Sequence, residues 1–121
     1  MKTLVIIPAY NESSNIVNVI NNLDNYYNNY DYIVINDCST DNTESILNVN
    51  NIRHITLPVN LGLAGAVQTG YKYAWENGYE CAIQFDGDGQ HEAIFISTMI
   101  KEIEKGADIV IGSRFVNKKR I

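Results

Sequence analysis

At 121 residues the chain has room for one domain, and a chain of this size buries roughly two-thirds of its unfolded surface. Apolar residues make up 45% and charged residues 19%, with a formal net charge of −5, which argues against a general nucleic-acid binder with a basic face. No stretch approaches the ~18 apolar residues of a membrane span, and the apolar start of the chain is too short for a signal peptide and has no cleavage site, so a cytoplasmic chain is expected. Cys38 and Cys81 make no C-x-x-C pair and suit a reducing compartment as structural thiols.

In chain order, short apolar runs alternate with amphipathic segments. Residues 3–8 are a β-branched run suited to a strand buried on both faces. Ile16, Val19, Ile20 and Leu23 repeat at i, i+3, i+4 and i+7 and predict a helix. A second strand is predicted over 32–35. Asp41 with Glu44 three residues on resembles a capping box, opening a short helix through Leu47. Residues 52–57 predict a third, outer strand. A longer helix follows over 63–76, with Val67, Gly70, Tyr71 and Ala74 on one face and Asn77-Gly78 as its stop. Gly70 inside that helix costs up to ~1 kcal/mol against alanine, so close backbone packing is expected there. A fourth strand (81–85), a fourth helix (93–105) and a fifth strand (107–111) complete the pattern. The alternation predicts an α/β fold: a doubly wound, mainly parallel sheet with helices on both faces and right-handed crossovers.

Ligands of such sheets sit beyond the carboxyl ends of the strands. The polar residues there are Tyr10-Asn11-Glu12, Asp37, Asp86-Gly87-Asp88 and Ser113-Arg114. Asp86-Gly87-Asp88-Gly89-Gln90 is the sharpest signal, because its carboxylates follow a buried strand and its glycines permit close approach of the backbone. Two carboxylates about 4 Å apart repel by about 4 kcal/mol at an effective dielectric of about 20. A divalent cation removes that repulsion, and hard oxygen ligands suit Mg²⁺ or Mn²⁺. The blander alternative is a solvated Asp-Gly turn. An EF-hand is excluded by His91 at the sixth position and Ser97 at the twelfth.

Asp37 stands where doubly wound folds often place an acid that holds a ribose or base. Yet Pro8-Ala9-Tyr10-Asn11-Glu12 carries no glycine, which argues against a dinucleotide site and against a nucleotidylyltransferase loop. A response-regulator receiver fails too, since the first strand lacks an acidic pair. Tyr10 offers a flat face for a nucleobase, or is a plain core or surface tyrosine. Glu12 alone reads as an acid favoured by a helix N-terminus. Lys118-Lys119-Arg120 reads as a solvated tail, with a juxtamembrane or phosphate-facing role as the alternative.

Taken together, five ordered segments resemble the GT-A nucleotide-diphospho-sugar transferases of family 2. They are Val5 to Glu12, Ile35 to Thr43, Asn60 to Gly70, Phe85 to His91 and Ile111 to Phe115, and the last two are most similar to the polyprenyl-phosphate and dolichol-phosphate sugar transferases. The resemblance implies that Pro8, Ala9 and Tyr10 shape the nucleoside pocket, with Glu12 near the ribose and Asp37 accepting from the base. It further implies that Asp86 sits by the ribose or the metal with Gly87 beside it. Asp88 then ligates a Mn²⁺ or Mg²⁺ ion bridging the diphosphate, with Gln90 as a further ligand. Arg114 meets a phosphate, or forms a surface ion pair; Asp88 and Arg114 are the catalytic candidates. His54 and His91 are expected to be structural.

The implied activity is inverting transfer of a hexose from a UDP- or GDP-sugar to a lipid phosphate or growing glycan, in cell-envelope polysaccharide synthesis. Family members continue past the Gly-Ser-Arg segment into acceptor-binding helices, so the chain is expected to be a single nucleotide-sugar-binding domain, residues 1–121, truncated before the acceptor part. Partners expected beyond donor and acceptor are the inner face of a membrane, or a second copy through the face that truncation leaves open; nucleic acid is not among them. The alternative from another class is a truncated, catalytically inert fragment that binds nucleotide or a protein partner.

Overall fold

The computed structural model describes residues 2–26 and 30–85. Among the described residues four parallel strands form one sheet in the order β3-β2-β1-β4. These are β1 (Thr3–Ala9), β2 (Asp31–Asn36), β3 (His54–Thr56) and β4 (Cys81–Gln84), joined through α1 (Ile16–Tyr26), α2 (Thr43–Val49) and α3 (Gly62–Glu76). The fourth helix and fifth strand predicted over 93–105 and 107–111 lie outside the described residues.

β1 is the organising strand. Every one of its residues is buried, because it has neighbours on both edges and helices on both faces. Its period-two alternation divides the core. Val5, Ile7 and Ala9 pack with Val34 and Ile83 against the buried stripe Ile16, Val19, Ile20 and Leu23 of α1, and against Leu47 of α2. Leu4 and Ile6 point the other way, with Ile33 and Ile35, against Ala66 and Ala74 of α3. Helices thus cover both faces of a parallel sheet, the doubly wound arrangement that the sequence alternation predicts.

Several local expectations need adjusting. β3 is the outer strand, but it pairs over three residues only. Ile52 is buried outside the ladder because its N–H donates to Leu47 O (3.0 Å) and so closes the end of α2. Tyr71 does not share the buried face of α3: it is 46% exposed, while Ala66, Val67, Gly70 and Ala74 are buried. The stripe follows the i, i+4 row through 66, 70 and 74, and Tyr71 lies about 100° around the helix from Gly70.

Asn77-Gly78 does stop α3. Tyr79 N–H donates to Ala74 O (3.0 Å) and Gly78 N–H to Trp75 O (3.4 Å), a Schellman closure in which Gly78 takes φ +76°. At Gly70 the helix and β1 approach so closely that an added Cβ would lie 2.4 Å from Ile6 Cγ2 and 2.9 Å from Cγ1. Ile6 is fully buried and has no room to withdraw. Gly70→Ala should therefore lower stability by about 1–3 kcal/mol, despite alanine's better helix propensity. Urea unfolding checks this, and a midpoint at or above that of the wild type would refute the close-packing account.

Candidate functional site

Parallel pairing brings the ends of β1 and β2 to one edge in register, with Ala9 opposite Asn36. Asp37 N–H continues the ladder by donating to Ala9 O (2.9 Å). Tyr10 and Asp37 thereby become neighbours at the rim. Pro8, Ala9, Tyr10, Glu12 and Asp37 line a single cleft of about 170 Å³, together with Leu63 and Ala66 from the first turns of α3. Its volume is below the roughly 300–1,000 Å³ that encloses a whole small ligand, so it suits one moiety of a larger molecule. Five of the residues named from sequence are thus brought together. Leu63 and Ala66 fall within the Asn60–Gly70 segment, which carried the family resemblance without a role for either of them.

Asp37 is only 4% exposed, and its side chain reaches across to α3. Oδ1 accepts from Leu61 N–H (2.7 Å) and Oδ2 from Gly62 N–H (2.9 Å), while its carbonyl accepts from Asn60 Nδ2 (3.1 Å). The carboxylate therefore caps α3 from a different segment of the chain, meeting orphan N–H groups at the positive end of the helix dipole. It ties the start of the α3 wall to the end of β2. The cap occupies one acceptor direction on each oxygen and leaves each oxygen a second.

Tyr10 is 47% exposed and belongs to the cleft, so its ring is available to a ligand. Glu12 does not occupy the first turn of α1, which begins at Ile16 and holds no acid. Its contribution to that helix is the backbone carbonyl, which accepts from Asn15 N–H (3.0 Å) and Ile16 N–H (2.9 Å), while its Oε1 accepts from Asn15 Nδ2 (3.2 Å).

The capping box also forms differently. Asp41 Oδ1 accepts from Thr43 N–H (2.9 Å), and the Asp41 N–H goes to Asn11 Oδ1 (3.2 Å) instead of to Glu44. Asp41 Oδ2 in turn accepts from Ser13 N–H (3.3 Å). Burial pushes the Asp41 carboxyl up, but the hydrogen bonds from Thr43 and Ser13 outweigh it and hold the carboxyl below its ordinary value. Asn11 was named only as part of the polar Tyr10-Asn11-Glu12 rim and Ser39 only within the Ile35–Thr43 segment, neither with a role of its own; the signal available for Asn11 was asparagine's tolerance of positive φ at a turn, and its φ is 54°.

Asp86, Gly87, Asp88, Gln90, His91 and Arg114 lie outside the described residues, as does Lys118-Lys119-Arg120. The strand that leads to Asp86 is β4, parallel to β1, with Gln84 opposite Ile6 and Phe85 N–H donating to Ile6 O (2.8 Å). Among the described residues no three His, Cys, Asp or Glu side chains converge as a metal site. Nor is any described helix long and apolar enough to cross a membrane. His54 Nδ1 lies 2.8 Å from Ile52 O, a contact with the residue two positions earlier, just ahead of β3. Both cysteines are free thiols, and burial pushes the Cys81 thiol up, away from nucleophilic use.

This architecture is shared with solved structures that hold UDP or GDP-Man. S. aureus TarS, residues 1–349 in complex with UDP, superposes on 87% of this chain and 32% of its own with a TM-score of 0.69 at 25% identity. The mannosyltransferase PcManGT of Pyrobaculum calidifontis, in complex with GDP-Man and Mn²⁺, covers 88% of this chain and 33% of its own with a TM-score of 0.71 at 20% identity. The fold is thus the GT-A α/β fold. The family model for glycosyl transferase family 2 matches residues 4–120, and the chain belongs to that family. Among curated relatives, the UDP-N-acetylglucosamine–dolichyl-phosphate N-acetylglucosaminyltransferase of Methanococcus voltae is 40% identical over 95% of this chain and 53% of its own length. The dolichol-phosphate mannosyltransferase of Pyrococcus furiosus is 33% identical over 100% of this chain and 35% of its own. The chain therefore spans about half or less of the length of these relatives.

Two outcomes follow from the carboxylate geometry. Asp37→Ala should destabilise the chain by about 1–3 kcal/mol, since it removes the acceptor of Leu61 N–H and leaves Gly62 N–H only the longer bond to Asn60 Oδ1 (3.2 Å). Urea midpoints decide this, and an unchanged midpoint would remove the cap from the account. Asp41, whose folded pKa is depressed, contributes stability that is complete above its unfolded value of about 4 and is lost as pH falls through the folded value. The stability gap between wild type and Asp41→Asn should therefore stay level from about pH 5 to 8 and close below about pH 4. A gap that widens on acidification contradicts the assignment.

Proposed function

We propose that this chain is the donor-binding part of a metal-dependent transferase that moves a hexose from a UDP- or GDP-sugar, with inversion, onto a lipid phosphate or growing glycan. The observation that carries this reading is the cleft beyond the carboxyl ends of β1 and β2, where Pro8, Ala9, Tyr10, Glu12 and Asp37 converge. Ligands of doubly wound folds bind at this edge. Names of relatives support both the donor class and the acceptor class. The M. voltae protein is named for UDP-N-acetylglucosamine and dolichyl phosphate, the P. furiosus protein for dolichol phosphate, and the Pyrobaculum structure holds GDP-Man with Mn²⁺.

In this reading the Tyr10 ring stacks on the nucleobase between the Pro8-Ala9 backbone and the Leu63 wall. The lone-pair directions that the helix cap leaves free on Asp37 accept from the base. Glu12 lies near the ribose. Asp86, with Gly87 permitting close backbone approach, Asp88 and Gln90 would hold a Mn²⁺ or Mg²⁺ ion, which hard oxygen ligands suit. Such an ion supplies charge neutralisation for the diphosphate. Arg114 meets a phosphate of donor or acceptor. An oxygen of the acceptor bonds to the anomeric carbon from the face opposite the nucleotide, and the carbon–oxygen bond to the nucleoside diphosphate breaks. A lipid phosphate arrives already ionised, so it needs no strong general base. The work falls to groups that receive the charge developing on the leaving diphosphate. An acceptor of this kind places the reaction at the inner face of a membrane, in cell-envelope polysaccharide synthesis.

Isothermal titration of the 121-residue chain with UDP and with GDP in the presence of Mn²⁺ is the test. Binding of one of them should weaken by about tenfold or more in Asp88→Asn, about 1.4 kcal/mol. In Tyr10→Ala it should weaken by about 1–3 kcal/mol. Failure to bind either nucleotide, or binding indifferent to Asp88→Asn, overturns the proposal.

A further inference from the structure

Outside the cleft, the loops after β1 and β2 are stitched together by a chain of side-chain hydrogen bonds. Asn11 is at its centre. It holds φ 54°, a left-handed conformation that asparagine tolerates better than most residues, directly between Tyr10 and Glu12. Its Oδ1 accepts from Thr40 N–H (2.8 Å), Thr40 Oγ1 (3.3 Å) and Asp41 N–H (3.2 Å). Its own N–H donates to Ser39 Oγ (3.0 Å), and that hydroxyl donates onward to Asn36 Oδ1. Asn36 is 1% exposed at the last position of β2 and is anchored sideways, its Nδ2 donating to Thr56 Oγ1 of β3 (3.3 Å). The links therefore run from the outer strand across β2 to the loop that carries Tyr10 and Glu12. Two of the bonds are made by backbone N–H groups to one side-chain oxygen across a sequence gap of 29 and 30 residues, so they fix the loops relative to each other and not merely within themselves.

The geometry points to Asn11 as a positioning residue for nucleotide recognition: it contributes no side chain to the cleft lining but holds the Tyr10–Glu12 wall in register with the Asp37 wall. This rests on the donor-binding reading above. A cleft whose ligand must touch both loops loses affinity when one wall is free to drift, since ordering it on binding costs about 0.5–1.5 kcal/mol per immobilised side chain.

Two variants separate positioning from folding. Asn11→Gly removes the clamp while accepting the positive φ without strain. Asn11→Asp keeps an acceptor oxygen in the same place. With the full 121-residue chain and Mn²⁺, Asn11→Gly should bind whichever of UDP or GDP the wild type binds at least about tenfold more weakly, and Asn11→Asp should stay within about threefold of the wild type. Amide hydrogen exchange should accelerate in Asn11→Gly at Thr40 and Asp41 while the amides of β1 and α3 keep their protection. An affinity unchanged in Asn11→Gly overturns the inference, as does a loss of protection spread through β1 and α3. A wild-type chain that binds neither nucleotide overturns the donor reading and this role with it. Wild-type binding with an indifferent Asn11→Gly overturns this role alone.

Discussion

The arrangement depends on one carboxylate placed between a strand and a helix that it does not follow in sequence. Asp37 leaves the end of β2 and gives one oxygen to each of two backbone N–H groups at the start of α3. Those N–H groups have no intrahelical partner, and the helix dipole favours negative charge at that end. Hydrogen bonds with a charged partner are stronger than neutral ones, so this pair helps to fix where α3 begins relative to the sheet. Ala66 and Gly70 pack α3 on the sheet, and the cap fixes where its first turn, with Leu63, begins beside the β1 end.

Burial of β1 supplies the opposing surface. Because its side chains alternate between two helical layers, its position is set from both faces, and the residues immediately after it inherit that precision. Gly70 of α3 presses directly against Ile6, which sets the spacing between helix and sheet on the cleft side of the fold. The loops beyond the strands are then held by polar contacts, Asn11 to Thr40 and Asp41, Ser39 to Asn36, and Asn36 to Thr56. Rigid hydrophobic layers below and a hydrogen-bonded rim above are what a preorganised recognition surface requires.

Membership of glycosyl transferase family 2 and the cleft agree with each other for a physical reason. Parallel strands end together on one side, and helix N-termini face that same side, so polar and anionic ligand groups meet capped helices and exposed strand ends in one place. The curated relatives and the solved structures share this half of the architecture while extending well past its length.

The sequence by itself determined the elements with strong periodicity. The β-branched run of β1, the i, i+3, i+4, i+7 stripe of α1, the glycine stop of α3 and the outer position of β3 are all carried by local pattern, since burial on one or two faces dictates where apolar residues recur. That Pro8, Ala9, Tyr10, Glu12 and Asp37 share one edge was also legible, because strand ends in a parallel sheet must lie together. Tertiary structure decided the partners. Tyr71 sits one step off the buried row, a difference of about 100° that periodicity cannot resolve at the edge of a stripe. Asp41 finds Thr43 and Ser13, and its N–H finds Asn11, where a local motif would have used Glu44. Asp37 caps a helix that begins 25 residues later at Gly62. Hydrogen-bond donors and acceptors are alike along the chain, so only the packed sheet, by setting which loops come within about 3 Å, selects the pairs that form.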